Sequence, residues 1–192
     1  MNEDQTKQEI VIQEDSPPLV LDNSNNNYHL AGALEWAKAG FRVLPLNSRT
    51  KAPLLNGGYK AATRDIEVIK SIWTANPSAM VGIATGLTGS EEGSQHLFVL
   101  DIDVKDGADP YQRLADFEKF IGATIPKDYL VSTPSGGLHV YMSMGDENLR
   151  IGAEIFGQKG IDYRATSGYV AAPPSMRADG KSYQFITGVK ND

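Results

Sequence analysis

The chain has 192 residues, 41% of them hydrophobic and 22% charged, which is the make-up of one ordinary globular domain with a real core. It has no cysteine, so disulfides and every cysteine-ligated zinc or iron–sulfur site are excluded, and three histidines leave little for a histidine-rich metal centre. The net charge of −6 speaks against a nucleic-acid partner only until it is located: residues 1–27 carry six acids and one base, while the other 165 residues hold 18 acids and 17 bases. The body is close to neutral. No run of about 18 apolar residues is present, and the acidic start lacks the basic and apolar segments of a signal peptide, so a cytoplasmic protein with no membrane partner is expected.

Residues 1–27, ending in Asn-Ser-Asn-Asn-Asn, are polar and low in complexity and read as a disordered tail; residues 28–192 read as the folded domain. Leu30, Ala33, Leu34, Ala37 and Phe41 recur at helical spacing up to a stop at Gly40. Phe41 to Leu46 reads as a short strand, followed by a loop from Asn47 to Lys51. Ile66, Ile69 and Trp73 mark a second helix that ends before Pro77. Val81 to Thr85 reads as a buried strand, and a glycine-rich polar loop is expected up to Gln95.

The second half is more strongly patterned. Leu97 to Asp103 is a strand, and Asp109-Pro110 starts a helix with Asp as cap and Pro in the first turn, carrying Leu114, Phe117 and Ile121 on one face. Tyr129 to Thr133 and Leu138 to Ser143 are strands joined by the turn Pro134-Ser135-Gly136-Gly137. Further strands are predicted at Gly160 to Arg164, Gly168 to Ala172 and Tyr183 to Ile186. Mixed elements with hairpin-linked later strands give an α+β fold with a mostly antiparallel sheet.

Chemistry is suggested first by Val99-Leu100-Asp101-Ile102-Asp103. Strand side chains alternate, so Asp101 and Asp103 share a face, about 6.5 Å apart along the axis, while Phe98, Leu100 and Ile102 face a core. Two anions so close repel, and a divalent cation relieves them. A third acid, Asp162, shares a face with Arg164; beside Asp101 and Asp103 it would complete a site for two-metal phosphoryl transfer. His139 lies with Tyr141 and Ser143 on the polar face of its strand, opposite Leu138, Val140 and Met142. Each feature also has a plainer reading: an Asp-x-Asp turn or cap, a satisfied sheet histidine, a surface ion pair between Asp162 and Arg164, a simple hairpin at Gly136-Gly137, a solvated Lys51.

Taken in order, "AGFRVLPL" with "KAPL", "AAT", "SIWTANPSAMVGIATG", "FVLDID", "VSTPSGGLHVYM" and "GIDYRATSGYVAAPPS" cover about residues 30–187. This series resembles the bifunctional primase/polymerase (prim-pol) N-terminal domain of the archaeo-eukaryotic primase superfamily, found in phage and plasmid replication proteins. The resemblance implies an RNA-recognition-motif-like antiparallel sheet carrying the acids, packed with a smaller N-terminal α/β portion. It implies that Asp101, Asp103 and Asp162 are catalytic and hold two Mg²⁺ or Mn²⁺ ions. His139, Lys51, Arg164, Ser135 and Gly136 would contact the nucleotide.

The implied activity is a metal-dependent nucleotidyltransferase, a DNA primase/polymerase that uses nucleoside triphosphates on a single-stranded DNA template with a primer. Two departures stand out. Ala165-Thr166-Ser167 replaces the Gly- and Asp-rich run that commonly follows the arginine. No phosphate-binding P-loop occurs either: Gly152 to Lys159 comes near the pattern, but Gln158 intervenes and no Ser or Thr follows Lys159, so it reads as a loop. Many relatives continue into a helicase, which makes a separate replicative helicase a partner to expect. A non-catalytic binding module derived from such a domain is the alternative. A nucleotide-sugar glycosyltransferase built on the Asp-x-Asp is a weaker one, since no nucleotide-binding βα unit stands near the start.

Overall fold

In the computed structural model, residues 27–88, 96–104, 107–143 and 151–186 are described. The predicted tail, apart from Asn27, lies outside them. Among the described residues three helices and nine strands follow in chain order: α1 (Tyr28–Lys38), β1 (Val43–Leu46), α2 (Ile66–Ala75), β2 (Met80–Ala84), β3 (Gly86–Leu87), β4 (His96–Ile102), α3 (Pro110–Ile121), β5 (Leu130–Ser132), β6 (Leu138–Ser143), β7 (Ile161–Arg164), β8 (Tyr169–Ala171) and β9 (Gln184–Ile186). Short 3₁₀ turns lie at Gly58–Ala61 and Ile155–Gly157.

The helices begin where local chemistry favours it. Asp65 accepts from the backbone N–H groups of Glu67 and Val68 at the start of α2, and Asp109 accepts from Gln112 at the start of α3, with Pro110 in the first turn. Each cap satisfies N–H groups that have no partner inside the helix. α2 buries Ile69 and Trp73, and the Trp73 indole donates to Ala79 O at 2.9 Å. Gly122 ends α3 in the left-handed region at φ 67°, which glycine adopts at little cost.

The strands form two antiparallel sheets, which confirms the α+β class. The first has the order β1-β2-β8 and the second β3-β4-β6-β5-β9, with β7 also paired to β4. Because β6 lies between β4 and β5 and is antiparallel to both, β4, α3 and β5 make a split β-α-β unit. Two expectations change. The segment after Thr85 is not all loop, since Gly86 and Leu87 pair with Leu97 and His96. Gly86 permits this because a β-carbon there would stand 2.7 Å from Thr166 Cα. Nor is the first sheet built from the N-terminal portion alone: Tyr169–Ala171 crosses over and pairs with Gly82–Ala84.

That crossover is stitched down. Ser175 is fully buried, and its hydroxyl accepts from Val81 N at 2.7 Å and donates to Val81 O at 2.9 Å. The Trp36 indole donates to Pro173 O at 2.6 Å, and α1 passes so close to Pro174 that a β-carbon on Gly32 would meet that ring at 2.2 Å.

Two cores result, one on each face of the second sheet. Phe98, Leu100, Ile102, Leu138 and Val140 pack with Leu114 and Phe117 of α3, as the alternation predicts. On the opposite face Leu97, Val99, Val131 and Tyr141 join the core formed by α1, α2 and the first sheet. Asp101 continues that second face, just past Val99, where the apolar cover ends.

Candidate active site

Strand register assembles the site. Asp101 on β4 stands directly across from His139 on β6 and, on its other side, from Asp162 on β7. Cross-strand partners project to the same face, so residues 38 and 61 positions further along the chain flank one carboxylate. Arg164, two residues after Asp162 and therefore on the same face, extends its guanidinium between the acids: Nη2 is 3.4 Å from Asp101 Oδ2 and 3.5 Å from Asp162 Oδ2. The repulsion expected of paired carboxylates is thus partly offset by a side chain of the protein itself.

His139 Nε2 lies 3.5 Å from Asp101 Oδ1. The imidazole sits on the face the pattern assigned to it, but that face is covered: the side chain is only 7% exposed, with Tyr183 (ring centroids 5.6 Å apart) and Tyr141 (6.0 Å) against it. Its Nδ1 and the Tyr141 hydroxyl are buried with no hydrogen-bond partner among the described residues. Burial opposes ionisation of Asp101, but the hydrogen bond and charge of His139, together with the charges of Arg164 and Lys51, outweigh it and hold the carboxyl below its ordinary value. Burial, then the Asp101 charge, pushes the Tyr183 hydroxyl up to about 12.

Asp103 lies just beyond β4. Its N–H donates to Gly160 O at 2.8 Å, and its carbonyl accepts from the Arg113 guanidinium of α3. Asp162 Oδ1 accepts from Glu154 N at 3.1 Å. Lys51 follows β1 in an exposed loop at φ 63°, and its carbonyl accepts from the Tyr169 hydroxyl at 3.3 Å, which brings its charge within reach of Asp101. Ser135 and Gly136 form the β5–β6 turn, closed by Gly136 N to Thr133 O at 2.9 Å. Gly137 in that turn packs on the end of β4 so tightly that a β-carbon would stand 2.2 Å from Ile102 O. Ser135 and Gly136 also line an open polar groove of about 520 Å³ shared with Lys181, Ser182 and Gln184. A cavity of about 540 Å³ beside Tyr28, His29 and Met176 has no residue in common with the acids.

Asp101, Asp162, His139 and Arg164 are therefore brought together, with Asp103 adjoining them along the chain and Lys51 acting on Asp101 through its charge. Among the described residues no set of three or more Asp, Glu, His or Cys groups is spaced to hold an ion alone. The donor set still suits Mg²⁺ or Mn²⁺, which prefer carboxylate oxygen and are commonly held by one or two carboxylates plus substrate phosphates rather than by a protein cage. Sequence reasoning missed Tyr183 and Arg113 and placed Tyr141 only on the polar face with His139; Tyr183 meets His139 across 44 residues of chain, a pairing that periodicity cannot show, and Arg113 reaches Asp103 from α3.

Residues 33–191 match the family model described as bifunctional DNA primase/polymerase, N-terminal. The chain belongs to this family. Prim-Pol proteins are nucleotidyltransferases of the primase/polymerase type, with replication as their setting, nucleotides and DNA as substrates and divalent metal as the usual cofactor. No curated protein matches this Prim-Pol chain. Among its described residues no helix is long and apolar enough to cross a membrane.

Proposed function

We propose that this Prim-Pol domain synthesises nucleic acid from nucleoside triphosphates on a single-stranded DNA template, with Asp101 at the centre of the reaction. The observation that carries the proposal is the register of three strands, which sets Asp101 between His139 and Asp162 with Arg164 bridging the two acids. Asp101, Asp103 and Asp162 would hold the divalent ions, which supply an acidified 3′-hydroxyl nucleophile and neutralisation of the charge that develops at the α-phosphate as pyrophosphate leaves. His139 orients the Asp101 carboxylate and fixes its charge. Lys51 and Arg164 supply the positive charge that seats the triphosphate, and the Ser135–Gly136 turn, packed against the end of β4, offers the Ser135 hydroxyl as a further donor. A separate replicative helicase and a cytoplasmic setting belong to the same proposal.

The test is primer extension and priming without a primer on single-stranded DNA with Mg²⁺ or Mn²⁺, repeated with EDTA. Incorporation that EDTA abolishes is expected. A protein that binds triphosphate and DNA in calorimetry but incorporates nothing with either ion would instead be a binding module, a reading favoured only by the way Arg164 already occupies the space between the acids.

A further inference from the structure

The segment that braces Asp162 also holds the most exposed large apolar side chain among the described residues. Phe156 is 71% exposed, and its backbone is left-handed at φ 51°, ψ 28°. For a bulky residue that conformation is an outlier that costs free energy, and here no burial offsets it. The surroundings enforce it. Ile155 packs into the core under α3, Glu154 is itself left-handed at φ 49° and donates its N–H to Asp162, and Gly152 exchanges two backbone hydrogen bonds with Tyr163, at 2.9 and 3.1 Å. Gly157, at φ 76°, turns the chain back immediately afterwards. The phenyl ring is thus held out into solvent from a turn anchored directly on a site carboxylate.

We propose that Phe156 is a stacking platform for a base of the single-stranded nucleic acid that enters the site. The inference rests on the reading of the chain as a template-directed polymerase. Among the described residues 151–160 the exposed charges are one of each sign, Glu154 and Lys159, so this turn does not resemble a cradle for the phosphate backbone. Its distinguishing group is an aromatic face, and every base presents a π-face to such a ring whatever its sequence. A platform next to Asp162 would set the strand's path relative to the acids without reading its sequence.

Binding of a dye-labelled oligo(dT) and of a same-length strand of abasic sites, followed by fluorescence anisotropy, tests this. Phe156→Ala is expected to weaken oligo(dT) binding about five- to 150-fold, the range that one stacked base contributes, and to leave abasic binding and calorimetric triphosphate binding unchanged. Since the ring is exposed, the variant keeps the fold. Phe156→Trp should retain affinity and lose fluorescence when oligo(dT), but not the abasic strand, is added; Trp36 and Trp73 are both buried and leave the new signal readable. Equal oligo(dT) binding by wild type and Phe156→Ala overturns the platform while leaving the polymerase reading intact. Equal losses on both strands, or a loss confined to triphosphate, overturn it as well. Failure of the wild type to bind any single strand sinks both readings.

Discussion

His139 Nε2 faces Asp101 Oδ1 at 3.5 Å because the two residues are direct partners across antiparallel β4 and β6. The carboxylate is thereby fixed in place and in charge before any substrate arrives, and that arrangement makes Asp101 the most informative residue to change.

Asp101→Asn keeps the shape and hydrogen-bonding capacity but removes the charge. Incorporation should fall by on the order of 10²-fold or more, the scale on which a group acting on developing charge is felt. Circular dichroism should stay near wild type, and the melting temperature at neutral pH should fall only by the stability that the Asp101 charge supplies. An Asn variant with near-wild-type incorporation would remove the acid cluster from the mechanism.

Acid should destabilise the fold partly through this same residue. The Asp101 carboxyl is held below its ordinary value of 3.8, so the folded state favours its ionised form. The resulting stability is present above 3.8 and is lost as the pH falls through the lower, folded value. Urea midpoints measured from neutral pH to below 3.8 should drop less steeply for Asp101→Asn than for wild type. Parallel curves would mean that His139, Arg164 and Lys51 do not stabilise the charge.

Arg164 touches both Asp101 and Asp162, so its loss has two consequences. Arg164→Ala should raise KM for the triphosphate and, by leaving the acids unbridged, move Asp101 back toward its ordinary value, which steady-state kinetics and a carboxyl titration by NMR can read separately. Arg164→Lys should restore only part of this, because a single nitrogen makes both contacts and the lysine ammonium is a point charge on a shorter, more flexible stem. Full recovery in the Lys variant would reduce the bridge to a simple point charge.

Much of this was legible in the sequence. The buried runs, the Asp109-Pro110 start and the alternation along Leu138–Ser143 gave strands and helices that the structure places within a residue or two. Pairing was not legible, because periodicity says which side a residue faces and nothing about what lies across from it. Hence the Asp101–Asp162 register and the Arg164 bridge emerge only in three dimensions. His139 shows the same limit: a face that reads as His, Tyr, Ser looks solvated, yet Trp36 of α1 reaches Tyr141 (ring centroids 6.1 Å apart) and Tyr183 arrives from near the other end of the domain. Assignment of Tyr169–Ala171 to the first sheet was hidden for the same reason.

Ser175 tests that crossover. In a site with no solvent access its hydroxyl accepts from the Val81 N–H and donates to the Val81 carbonyl, which also accepts from Ala172 N at 2.9 Å. Ser175→Ala would leave the Val81 N–H unpaired at about 1–3 kcal/mol, while the carbonyl keeps the Ala172 N–H, and the melting temperature should fall accordingly while KM for the triphosphate stays unchanged. A variant as stable as wild type would mean that another group takes up the Val81 N–H.

The return of Tyr169–Ala171 to a sheet begun at Val43 has a consequence for synthesis on the ribosome. The first layer cannot close until nearly all of the domain has emerged, so its early strands wait with an open edge on β2 through most of translation. Maturation is therefore a late, all-at-once event, and a transcript cut short before Ser175 yields neither half of the domain in finished form.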